Sequence, residues 1–137
     1  MAAFPLYQKE DGHFGAEQQL PKIERKRDMP ILWGNGRLLI GLVEVHDRTG
    51  DTSALRLAKR LGDYFITTDP VFDKAENIRG VGGSYADGFV TCYFSCIEGL
   101  AGLGRVTKDP RYLEEAKRIA ELAASVTNFD GLHSHGP

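Results

Sequence analysis

The chain has 137 residues, 17 Lys and Arg against 19 Asp and Glu, and 42% apolar residues, for a formal net charge of −2. That balance describes one globular domain at most. With pI ≈ 6.1 it lacks the basic footprint that nucleic acid or an anionic membrane surface attracts. No apolar run approaches the roughly 20 residues of a membrane span. The start, Met1-Ala2-Ala3-Phe4-Pro5, lacks the basic-then-apolar order of a signal peptide, so a cytoplasmic location is the default expectation.

Residues 1–30 carry Pro5, Gly12, Gly15, Pro21 and Pro30 and show no sustained period, which predicts a linker or irregular segment. From residue 31 a repeat begins. Leu38–Phe65 matches Cys96–Ala123 without gaps at an offset of about 58 residues. Gly41-Leu42 falls on Gly99-Leu100, Thr49 and Asp51 on Thr107 and Asp109, and Leu55, Ala58, Lys59 and Arg60 on Leu113, Ala116, Lys117 and Arg118.

Each copy predicts a helix pair. The first helix is apolar nearly all round, over Leu38–Val43 and again over Phe89–Leu103, so it should be buried on most sides. A turn follows, with Asp51 as the cap of the next helix in one copy, and Asp109 with Pro110 in the other. The second helix is amphipathic, with Ala54, Leu55, Ala58, Leu61 and Phe65 on one stripe and Leu113, Ala116, Ile119, Ala120 and Ala123 on its counterpart. Buried helices paired with half-exposed ones give two layers. The expected fold is all-α, built of αα-hairpins. Between the pairs, Thr67–Gly88 is longer than an ordinary helix connection. Its Gly80-Val81-Gly82-Gly83-Ser84 run follows no strand and lacks phosphate-loop spacing.

The segments Trp33-Gly34-Asn35-Gly36-Arg37-Leu38-Leu39-Ile40-Gly41-Leu42 and His46-Asp47-Arg48-Thr49-Gly50-Asp51 resemble an inner helix and turn of the six-hairpin glycosidase superfamily. Val106–Leu113 and Ala116–Ala120 resemble the same elements again. Asp130-Gly131-Leu132-His133-Ser134-His135-Gly136 resembles the β-L-arabinofuranosidase-like group, glycoside hydrolase family 127 and relatives. The resemblance implies that residues 31–137 are part of an (α/α)6 toroid, two αα-hairpins and the start of a third. It implies a piece of a larger carbohydrate-active enzyme that hydrolyses a glycosidic bond, with a carbohydrate substrate and the remaining hairpins of the parent chain as partners. Members of family 127 use a cysteine nucleophile held on zinc by cysteines and a glutamate. Cys92 and Cys96 do not match that pattern, so no cofactor is expected of this stretch, although the parent family carries zinc.

The resemblance puts the pocket where loops run into the inner helices. There Trp33 offers an aromatic face to a sugar, and Asn35 and Arg37 offer hydrogen bonds to its hydroxyls. Asp87 is a helix cap or a hydroxyl acceptor. His133 and His135 suit substrate contact or proton transfer, or simply loop packing; further ligands for a metal are not apparent beside them. Glu98, the one acid within an apolar inner helix, is a candidate general acid or a structural ion-pair partner of Arg37 or Arg105. The nucleophile and the acid/base pair are otherwise unassigned, and the chain alone is expected to be inactive, since a glycosidase needs a positioned pair. Cys92 and Cys96, four apart, read as small core residues. The rival expectations are a non-enzymatic helical-repeat module that binds a protein partner, or another (α/α)6 enzyme such as an N-acylglucosamine 2-epimerase-like isomerase.

Overall fold

The computed structural model describes residues 4–20, 22, 25–72 and 89–126. Among these, a short 3-10 turn at Phe4–Tyr7 is followed by five helices: α1 (Arg25–Thr49), α2 (Thr52–Phe72), α3 (Phe89–Phe94), α4 (Ile97–Thr107) and α5 (Pro110–Val126). Among the described residues the only strand-like pairing is an isolated bridge between Gln8 and Phe14. The fold is all-α, of the αα-hairpin kind that builds an (α/α)6 domain. α1 packs on α2, α3 and α4, while α4 packs on α5, so α1 and α3–α4 form one layer and α2 and α5 the other.

The repeat is visible in individual hydrogen bonds. Thr49 Oγ1 donates to the Val45 carbonyl and receives the Asp51 N–H; Thr107 Oγ1 does the same with Leu103 and Asp109. The chain then leaves each inner helix through a left-handed residue, Gly50 at φ 71° and Lys108 at φ 60°, whose N–H closes the helix onto His46 and Gly104. Such a C-terminal closure satisfies carbonyls that would otherwise lack partners. Asp51 Oδ1 then receives the N–H groups of Ser53 and Ala54, and Asp109 Oδ1 that of Arg111. Pro110 at the first helical position has no N–H to satisfy.

The core joins both hairpins through Leu32, Leu39, Leu57, Leu61, Phe65, Leu100, Leu103, Tyr112 and Ile119, all essentially without exposure. In α5 the buried stripe keeps the expected Ala116 and Ile119 but takes in Tyr112 where Leu113 and Ala120 were expected. Tyr112 is buried, whereas Leu113 is 57% exposed and Ala120 is on the surface. The cause lies on the facing helix. A Cβ at Gly62 would come within 2.9 Å of the Tyr112 ring, so the aromatic occupies space that a glycine leaves in α2.

Three further boundaries differ from the sequence expectation. α1 begins at Arg25 and continues through Pro30, so six residues expected to be irregular are helical. α2 runs on through Phe72, shortening the long connection expected from Thr67. The second inner helix is broken at Ser95-Cys96 into α3 and α4. There Ser95 Oγ donates to the Cys92 carbonyl at 2.7 Å and lies 3.3 Å from the Leu32 carbonyl of α1. A serine that bonds back to the preceding turn competes with regular helix, and the backbone at the break is pressed against Gly36, where a Cβ would stand 2.9 Å from the Cys96 nitrogen.

Residues 4–20 are irregular in backbone but firmly held. Gln8 Nε2 donates to the Leu57 carbonyl at 3.1 Å, and the Arg60 guanidinium donates to the Lys9 carbonyl at 2.8 Å. Gly12, at φ 103°, crosses α2 so closely that a Cβ would lie 2.8 Å from the Arg60 carbonyl carbon. His13 is buried, its ring tilted 37° to the Tyr64 ring at 5.2 Å between centroids, with its nitrogens 2.6 Å from Asp11 and 2.9 Å from the Ala16 carbonyl. This segment straps α1 and α2 together.

Candidate functional site

Trp33 stands on the outward side of α1 with 51% of its surface exposed. A bulky aromatic left half in water is an obvious candidate contact surface. Beside it, Met29 and Pro30 of α1 and Cys92 of α3 complete an apolar opening of about 500 Å³. α3 reaches this position because the missing side chain of Gly36 admits the Ser95-Cys96 backbone against α1. Arg37, one turn beyond Trp33, is exposed and makes no ion pair among the described residues. Aromatic face and free guanidinium thus lie on one side of the helix at a spacing of four residues.

Asn35 requires a correction. It is 2% exposed and its amide is already used: Nδ2 donates to the carbonyls of Phe14 and Ile31, and Oδ1 accepts the Phe14 N–H, each at 2.8 Å. These bonds fasten the N-terminal strap to α1, and no donor is left for a sugar hydroxyl. Glu98 also departs from expectation. It lies on the exposed side of the first turn of α4, so no burial cost marks it out as a general acid. Of its two expected partners, Arg37 makes no ion pair among the described residues and Arg105 pairs with Asp47 at 2.8 Å, a guanidinium that holds the Asp47 carboxyl below its usual range. Asp87, His133 and His135 lie outside the described residues.

The contribution of Met29, Pro30 and Cys92 is not legible as a motif. The signal that could have found it is the spacing of Met29 and Pro30, four and three residues before Trp33, which places them on its side of a helix. The two cysteines are unbridged thiols in different surroundings. Cys92 lines the opening, while Cys96 lies across the break, buried, with its thiol 3.3 Å from the Tyr93 carbonyl. Among the described residues no three His, Cys, Asp or Glu side chains converge as metal ligands. Nor is any helix among them long and apolar enough to cross a membrane.

No curated protein and no solved structure matches the chain. A family comparison does. Residues 1–130 match the β-L-arabinofuranosidase, GH127 catalytic domain, a span that includes both hairpins and the strap before them, and the chain belongs to that family.

Proposed function

We propose that this chain supplies a substrate-facing wall of a β-L-arabinofuranosidase-like glycoside hydrolase, with Trp33 stacking on the C–H face of a sugar and Arg37 bonding its hydroxyls. The single observation that carries the reading is the half-exposed Trp33 beside an apolar opening of about 500 Å³, in a chain of a glycosidase family. An aromatic face beside a polar handle is what pyranose and furanose rings need, because they are apolar above and below and polar at the rim. The described lining contains no carboxylate, so the part assigned here is binding and orientation. Bond cleavage would come from other groups of the family's catalytic domain. Asp87, His133 and His135 are further proposed contacts for the sugar, on the strength of the sequence resemblance alone.

The chain has one tryptophan and five tyrosines, so fluorescence excited at the red edge of indole absorption, where tyrosine does not absorb, reports Trp33 alone. Titration with methyl β-L-arabinofuranoside should give a saturable change in Trp33 emission, with weakened binding in Arg37→Ala. Emission that stays constant to high millimolar sugar would refute the contact.

A further inference from the structure

The walls of the opening beside Trp33 belong to two helices, Met29, Pro30 and Trp33 to α1 and Cys92 to α3. Its width therefore depends on where α3 lies. α3 has six residues, and the break at Ser95-Cys96 separates it from α4, which cannot hold it as a continuous helix would. Side chains do that instead. On one flank Tyr93 is buried and reaches α5, its hydroxyl accepting from the Arg118 guanidinium at 3.4 Å. On the other flank stands Ser95, whose Oγ donates to the Cys92 carbonyl at 2.7 Å and, more weakly, to the Leu32 carbonyl at 3.3 Å.

The position of these two acceptors is what matters. Cys92 is the α3 wall of the opening, and Leu32 is the residue before Trp33 in the α1 wall. One hydroxyl thus touches the backbone on both sides of the gap. Gly36 allows the approach: a Cβ there would overlap Ser95 Oγ and stand 2.7 Å from the Ser95 carbonyl carbon. Ser95 is not among the described residues that line the opening, so whatever it does there it does through Cys92.

We infer that Ser95 is a positioning residue that sets the specificity of this opening, holding the Cys92 wall at a separation from Trp33 that favours a five-membered sugar ring over a larger one. The inference rests on the sugar reading of the opening and deepens it. A volume of about 500 Å³ lies toward the small end of ligand pockets. A larger ring has to push the walls apart and break the Ser95 bond, and a penalty of that kind is how a site rejects a competitor. Without the hydroxyl the walls part more easily. The small ring then loses contact on one side while the large one gains entry.

Two measurements on the 137-residue chain test this. The first needs no sugar. Cys92 is half-buried and Cys96 buried, so their rates of reaction with a disulfide reagent, resolved by peptide mass, report the opening and the core separately. Ser95→Ala should speed reaction at Cys92 by about fivefold, the worth of one net hydrogen bond, with Cys96 still slow and helical circular dichroism unchanged. Ser95→Thr keeps the hydroxyl and should restore the native rate. The second follows red-edge emission of Trp33 with methyl β-L-arabinofuranoside and with methyl β-D-galactopyranoside, which is larger by one CH2O unit. Ser95→Ala should lower the preference for the arabinofuranoside in the same proportion, and Ser95→Thr should retain it. An unchanged Cys92 rate, two thiols that quicken in step, or an unchanged preference overturns the inference even where sugar binds. Emission that responds to neither sugar in the unaltered chain refutes the sugar contact itself, and the specificity role with it, whatever the Cys92 rate shows.

Discussion

The two hairpins carry the same turn and different surroundings. Thr49-Gly50-Asp51 and Thr107-Lys108-Asp109 make matching hydrogen bonds, down to the left-handed residue in the middle. A few residues upstream the likeness ends. α1 runs unbroken past Arg37, while its counterpart stops at Ser95-Cys96; Gly41 faces open space, while Gly99 is pinned under Leu39. The turn is decided within a handful of neighbouring residues. The helix before it is decided by what packs against it, which differs between the first hairpin and the second.

The sharpest way to break this comparison is to make one substitution at both equivalent glycines. Gly99→Ala forces a methyl group against Leu39, itself fully buried and unable to retreat. Overpacking of this kind costs about 1–3 kcal/mol, and the urea midpoint should fall accordingly. Gly41→Ala meets nothing and gains helix propensity, so it should raise stability by up to about 1 kcal/mol. Equal effects at the two sites would show that the helices are not placed as described.

The outer helices offer a second contrast, read by pH. Burial pushes the phenols of both Tyr64 and Tyr112 above the ordinary value of 10.0. Tyr64 donates to the neutral amide of Gln18, whereas Tyr112 donates to the Asp63 carboxylate at 2.8 Å, which opposes its ionisation further. Above pH 10 the unfolded chain gives up protons that the folded chain keeps, so stability should decline as pH rises from there. Asp63→Asn should lower the pH at which Tyr112 ionises and leave Tyr64 unchanged, as followed by NMR of the tyrosine rings. A coincident shift of both would refute the separate assignments.

The smallest effect tests the shared turn. Lys108 holds a left-handed conformation that its counterpart Gly50 adopts without strain. Lys108→Gly should therefore be neutral or raise stability by less than about 1 kcal/mol, against a clear loss for Gly50→Val. A substantial loss for Lys108→Gly, measured by thermal unfolding, would mean that the lysine side chain has a role the turn alone does not explain.

How much could be read in the sequence follows the same division. The caps at Asp51 and Asp109-Pro110 and the repeat itself were legible because their partners lie within a few residues. Trp33 was conspicuous as the one tryptophan, but it stands inside α1 and not in a loop before it, because the helix already begins at Arg25. Tyr112 was not legible, since its burial depends on Gly62, a residue of the other hairpin. Asn35 misled for a similar reason: an amide beside an aromatic suits a sugar, and only the arrival of Phe14 from 21 positions upstream shows that the amide is occupied. The break at Ser95-Cys96 depends on contact with Gly36 and Leu32, which periodicity does not see.

The strap has a practical consequence for anyone trimming this chain. Cutting at the start of α1 to discard a seemingly featureless leader would strip the buried Asn35 amide of two of its bonds and leave the Tyr64 hydroxyl without Gln18. Bare polar atoms in such surroundings cost about 1–3 kcal/mol apiece. A shortened version should thus be harder to produce in soluble form than the intact one, even though what is lost looks like packaging.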